Sequence, residues 1–182
     1  MTFAEATDIL HRMVQSPSLR RHCLSISLVM RHYAEKYGED PEEWAIAGLL
    51  HDADYEQYPD QHPQVIVDQL REAGEEKIAH AISAHYTKWG VSYDTTLDKA
   101  LLACDELTGF IIAVALVRPT RIEGMKPKSV RKKLKDKKFA AKVERDEIEK
   151  GVELLGVDPN EHIAFIISIL NQYQDELTLG PI

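Results

Sequence analysis

Cysteine is almost absent from this chain of 182 residues: Cys23 and Cys104 are the only two, and they lie far apart. Neither belongs to a CxxC pair, which excludes a thiolate zinc knuckle, and both sit in apolar helical contexts suited to buried free thiols. No apolar run approaches the roughly 20 residues that a bilayer-spanning helix needs. A basic-then-apolar leader is also missing, so the expectation is a soluble, cytoplasmic protein without a membrane partner. Runs that alternate apolar and polar residues, the mark of a half-buried strand, are not found. Internal repeats and low-complexity linkers are lacking too. Positive charge is scarce, with 22 Lys and Arg against 30 Asp and Glu, which argues against general nucleic-acid binding.

What positive charge there is clusters. Between Lys126 and Lys138 eight basic residues meet a single acid, Asp136. A solvated helix face accounts for most of them. A sharper possibility is that Lys128 and Arg131 line the route of a phosphorylated substrate.

Hydrophobic residues make up 44% of the chain, enough for one compact domain over 1–182 with a real core. Helix punctuation is legible. Asp40-Pro41-Glu42-Glu43 and Asp158-Pro159-Asn160-Glu161 each offer a capping carboxylate, a proline at the first helical position and a Glu at the third. Ser16-Pro17 and His62-Pro63 suggest similar starts, and Gly38, Gly74, Gly90 and Gly156 follow expected helix ends. Apolar residues recur at helical spacing, as in Leu19, Cys23, Ile26, Met30 and Tyr33. The pattern predicts an all-α protein with helices over 2–14, 17–37, 41–52, 63–73, 75–88, 95–117, 127–136, 138–155 and 159–177. The stretch 118–127 is rich in helix breakers and reads as a loop.

His51-Asp52 closes the apolar run that begins at Trp44, and His22 lies before it, with His62, His85 and Asp105 after. Adjacent imidazole and carboxylate groups at the mouth of a buried helix can offer nitrogen and oxygen to one divalent ion. Asp105 stands in the apolar stretch 100–107, where a lone carboxylate is costly to bury unless a partner such as a cation meets it. Four imidazoles and two carboxylates suit Fe, Mn, Co, Ni or Zn better than Mg or Ca, which favour all-oxygen sites. His80 precedes His85 by five residues, so the two point about 140° apart on a helix and do not easily share a metal.

Over residues 16–118 the order and spacing resemble the HD superfamily of metal-dependent phosphohydrolases. The resemblance maps His22 onto the superfamily's first histidine, His51-Asp52 onto its signature pair and Asp105 onto its last aspartate. His62 and His85 are similar to the two added histidines of the two-metal branch, a layout shared by HD-type diadenosine tetraphosphate hydrolases. The stretches 49–56 and 104–110 resemble a group of bacterial predicted HD hydrolases. This likeness implies an HD-domain helical bundle as the metal-binding core, a C-terminal helical extension over about 125–182, and a small phosphorylated substrate, a nucleotide or a related molecule.

With two ions present, Asp52 is best placed to bridge them, His22, His51 and Asp105 completing one shell and His62 and His85 the other. Asp54 and Glu56 are candidates for a general acid or for support of the ligands, with ordinary loop acids or an N-cap the alternative. Lys88, Arg118 and Arg121 are candidate phosphate contacts, although a solvated lysine and a loop salt bridge are the commoner outcomes. Two other readings stay open: a non-catalytic metal and nucleotide sensor using the same pocket, and a single ion held by His22, His51, Asp52 and Asp105. The oligomeric state is not encoded legibly.

Replacing Lys128, Arg131 and Lys132 by glutamine is expected to raise KM more than it lowers kcat, because exposed cations attract a phosphate equally before and during the transition state. Added salt should mimic the substitution, since 0.1 M screens exposed charges over about 10 Å. Steady-state kinetics at low and high salt check this, and an unchanged KM reduces the patch to a solubility feature.

Overall fold

The computed structural model describes residues 1–181 and divides into two compact units, Met1–Leu102 and Ala103–Ile182. Among the described residues there are nine α-helices and no strand, so the chain is all-α as expected. No helix of the described residues is long and apolar enough to cross a membrane.

The first unit holds α1 (Phe3–Met13), α2 (Pro17–Tyr37), α3 (Pro41–Leu50), α4 (Gln64–Glu72), α5 (Glu76–His85) and a 3-10 turn over Thr87–Trp89; α6 (Thr96–Leu116) begins in it. Its axis is α3. All residues from Trp44 to Leu50 are buried, so this helix has no polar face and must be covered on every side. Helices α2, α1 and α5 provide that cover. The tightest approach is at Gly48, where a Cβ would stand 2.8 Å from Ser27 N and 2.9 Å from the Ile26 carbonyl. Backbone therefore rests on backbone, and the Ser27 hydroxyl donates to the Ala45 carbonyl across the same seam at 2.8 Å. A glycine inside a helix costs about 1 kcal/mol of propensity. Here the close contact offsets it.

Local chemistry sets most helix ends. Asp40 Oδ1 accepts from the amides of Glu42 and Glu43 at 2.9 and 3.2 Å. Ser16 caps α2, and Gly38 ends it with a left-handed φ of 71°. Gly74, Gly90 and Gly156 also have positive φ. The expected start at His62-Pro63 differs in detail. Pro63 offers no side-chain cap to α4, and the Ile66 amide donates instead to Asp54 Oδ2 at 3.0 Å, from twelve residues upstream.

The second unit holds the rest of α6, then α7 (Pro127–Leu134), α8 (Arg145–Leu155) and α9 (Pro159–Gln172). Helix α8 starts seven residues later than the predicted 138, and Arg145 is the reason. Its guanidinium donates to the carbonyls of Leu134, Asp136, Phe139, Ala140 and Val143 at 2.6–3.4 Å and lies 5.1 Å over the Phe110 ring. These bonds hold 135–144 as a series of turns, in which the Asp136 and Ala140 carbonyls also accept from Phe139 N and Val143 N at 3.1 and 3.0 Å. Helix α9 stops at Gln172 rather than 177 because the chain folds back to bury Leu177 and Leu179, and the Leu179 carbonyl accepts from Ile122 N at 3.1 Å. His162, 1% exposed, bonds the Ala103 carbonyl through Nε2 at 2.7 Å and pins α9 to α6.

Gly48→Ala is expected to destabilise the protein by about 1–3 kcal/mol, the usual cost of overpacking. In an open helix the same change would stabilise by about 1 kcal/mol. Denaturant unfolding of both proteins distinguishes the two signs.

Candidate metal centre

Four elements of the first unit deliver the site. His22 comes from the second turn of α2, His51 from the end of α3, His62 from the turn before α4 and His85 from the last residue of α5. Asp52 follows His51 directly and lies among all four rings.

Hydrogen bonds on the far side of three rings decide what each presents. His51 Nδ1 bonds the Gly48 carbonyl at 2.7 Å, and His85 Nδ1 bonds the Ile82 carbonyl, one helical turn back in each case. His62 Nδ1 bonds Asp54 Oδ1 at 2.6 Å. A carbonyl or carboxylate can only accept, so Nδ1 carries the proton in each ring. A neutral ring then keeps its lone pair on Nε2. Those Nε2 atoms all turn inward. Asp52 Oδ2 lies 3.3 Å from His51 Nε2 and 3.5 Å from His22 Nε2. Oδ1 lies 3.4 Å from His62 Nε2 and 3.7 Å from His85 Nε2. His22 Nε2 and His51 Nε2 are themselves 3.1 Å apart.

Lone pairs facing a carboxylate at these distances repel unless positive charge stands between them. Protons can supply it. So can a metal ion, which competes with protons for the same nitrogens. Ligating histidines characteristically donate their other N–H to a carbonyl or carboxylate, which fixes tautomer and ring direction. The residues present therefore fit a divalent ion. Two donor sets are close enough to hold one: His22, His51 and Asp52, and Asp52, His62 and His85, each with ligand atoms within 4.8 Å of one another. Where protons rather than a metal supply the positive charge, burial opposes ionisation of Asp52, but the charge on His51 and hydrogen bonds from His22, His51 and His85 outweigh it and hold the carboxyl well below its ordinary range.

Asp54 is fully buried, with Oδ1 on the His62 ring and Oδ2 on the Ile66 amide. Of the two roles expected for it, general acid or support of a ligand, its geometry is that of support. Glu56 is exposed and accepts from the amides of Gln15 and Ser16 at 3.0–3.2 Å, at the head of the helix that carries His22. His80 turns away from the site, with Nδ1 3.2 Å from Asp98 Oδ1 and Nε2 3.4 Å from Asp94 Oδ2. Lys88 is exposed, its Nζ 5.6 Å over the Tyr86 ring.

The remaining candidates lie in the second unit. Asp105, on α6, is 9% exposed. Burial, and secondarily the charge of Asp105, push the neighbouring Cys104 thiol up, so it stays protonated and inert. Arg118 donates to the carbonyls of Arg121 and Glu123 at 2.7 and 3.2 Å, tying its own loop, and Arg121 itself has a left-handed φ of 51°. Lys128 and Arg131 line a cavity of about 600 Å³ with Lys132, Lys135 and Asn160.

Histidines and an aspartate converging at helix ends in an all-α chain define a metal-binding helical domain. The model of the HD domain matches residues 19–109, half of the chain, and the protein belongs to that family, within the HD superfamily of metal-dependent phosphohydrolases. The match implies metal-dependent hydrolase activity in general. Neither the curated proteins nor the solved structures give a match.

Sequence reasoning did not find the rings around His62. Tyr55 and Tyr86 each stand edge-on to it with centroids 5.4 Å away. Their positions directly after Asp54 and His85 were the available signal.

Asp54→Ala is expected to weaken metal binding through His62 by about 10- to 100-fold, the usual effect of losing a group that orients a ligand. Competition titration with a chelator measures this. Unchanged affinity would mean the ring is held without Asp54.

Proposed function

We propose that this protein is a phosphohydrolase using two divalent transition-metal ions (Fe, Mn, Co, Ni or Zn) to cleave a phosphomonoester or phosphoanhydride of a nucleotide or related small molecule. What supports a two-ion centre is the division of Asp52: one oxygen turns to His22 and His51, the other to His62 and His85. A carboxylate held in that way can offer an oxygen to each of two cations. In this reading His22, His51, Asp52 and Asp105 hold one ion, and Asp52, His62 and His85 hold the other. When bound, the ions supply Lewis acidity toward a phosphate and a water that loses its proton more readily.

The protein's own residues set the charge and the geometry. Four neutral imidazoles and two carboxylates leave excess positive charge on a pair of divalent ions, which suits an anionic substrate. Asp52 stays ionised and so remains available to both ions. Asp54 is a positioning residue: it fixes the tautomer and direction of His62 while starting α4. Glu56 holds the first turn of α2 and thereby the height of His22. Lys88, close to the His85 end of the site, is the cation best placed in sequence to meet a substrate phosphate.

Asp52→Ala is expected to remove metal and turnover together while leaving helical content near wild type. His62→Ala or His85→Ala should lower metal content from close to two equivalents per chain toward one. Elemental analysis after reconstitution, with phosphate release measured across nucleotides and dinucleoside polyphosphates, checks both. Full metal content and normal turnover in Asp52→Ala would end this reading, and one equivalent in wild type, unchanged in the histidine variants, would leave a single-ion site.

A further inference from the structure

We infer that Tyr55, Tyr86 and Trp89 form a stacking platform beside the metal centre that takes the planar base of a nucleotide. This subsite presupposes the phosphohydrolase reading above and accounts for the part of the substrate that metals do not grip. Tyr55 and Tyr86 meet the His62 ring edge-on, at interplanar angles of 84° and 82°. Trp89 stands edge-on to Tyr86 at 5.9 Å and 89°. The row of rings therefore runs outward from a metal ligand.

Two features separate this row from ordinary packing. Tyr55 is 54% exposed and Trp89 37%, whereas Trp44, the other tryptophan, is 2% exposed. Exposed aromatic rings beside converging polar groups have the composition of a ligand site. Attachment is the second feature. Tyr55 directly follows Asp54, which orients His62, and Tyr86 directly follows His85. The turns that aim the histidines therefore also place the rings beside them. Lys88 Nζ, over Tyr86, adds a cation at the edge of the row, within the same turn as Trp89. A base stacked on these rings would set its phosphate toward the imidazoles. Every base has a π-face, so such a platform tells a nucleotide from a bare sugar phosphate without choosing strongly among bases.

The test uses the full chain loaded with Mn. In steady state a nucleoside 5′-monophosphate should show a KM about tenfold below that of ribose 5-phosphate, the scale one base–aromatic stack supplies. Tyr55→Leu and Trp89→Leu should shrink that ratio, and Trp89→Phe should keep it. A second readout needs no turnover: adenosine, which has no phosphate, should change Trp89 fluorescence saturably where ribose does not. That change should persist in Asp52→Ala and vanish in Trp89→Phe. If adenosine perturbs Trp89 but no phosphate ester is cleaved, the hydrolase reading fails and the platform stands. If both phosphates are cleaved with equal KM and adenosine acts no differently from ribose, the platform is overturned and the hydrolase reading stands.

Discussion

Three imidazole lone pairs turned toward the oxygens of one ionised carboxylate make up the constraint on which the first unit depends. With those three rings neutral it is unfavourable, because Asp52 is largely withdrawn from water and His51, His62 and His85 turn Nε2 lone pairs rather than N–H groups toward it. Positive charge at the centre reverses the sign. Folding and cation binding are therefore linked: whatever occupies the centre stabilises the native state over an unfolded chain in which the five groups are dispersed. The cost of assembling these groups is distributed to the carbonyls of Gly48 and Ile82 and to Asp54, each of which holds a ring by its remote nitrogen.

The packing of α2 on α3 follows from the same requirement. His22 and His51 have to meet across two helices with 3.1 Å between their Nε2 atoms, and ordinary helix pairs stand 8–10 Å apart with side chains interposed. Gly48 lets the backbones touch one turn of α2 beyond His22, and Ser27 locks the register there. Gly48 also lends its carbonyl to His51. One residue thus sets both the separation of two rings and the orientation of one of them. Seven consecutive buried residues on α3 make this seam rigid, since close-packed interiors yield little to local strain.

Features whose cause is local in sequence were readable before the structure. Ser16, Asp40 and Asp158 start their helices as their side chains and the following prolines dictate, and Gly38 and Gly156 end theirs. The five-residue interval between His80 and His85 foretold that His80 would face elsewhere, and it pairs with Asp94 and Asp98. What could not be read depends on partners distant along the chain. The start of α8 differs because residues 138–144 have acceptable helix propensity, and nothing in their own composition reveals that Arg145 binds the carbonyls of Phe139, Ala140 and Val143 among them. Which of the roles open to Asp54 it fills could not be chosen, because its two oxygens are engaged eight and twelve residues downstream, across a turn whose path the sequence does not disclose. Glu56 was obscured in the same way by the forty-residue gap to Ser16.

Arg145 carries a consequence for how this surface can vary. The loop it organises, between α7 and α8, has the composition of a flexible polyelectrolyte, with Lys135, Lys137, Lys138 and Lys142 in a short span. Yet the guanidinium grips main-chain oxygens, which every residue type possesses, together with the ring of Phe110. The shape of the loop is consequently decoupled from the identity of most side chains on it. Substitutions that add, remove or invert charge at those lysines leave the anchoring contacts in place, so the electrostatic character of this face is a variable that mutation can explore without loosening the fold.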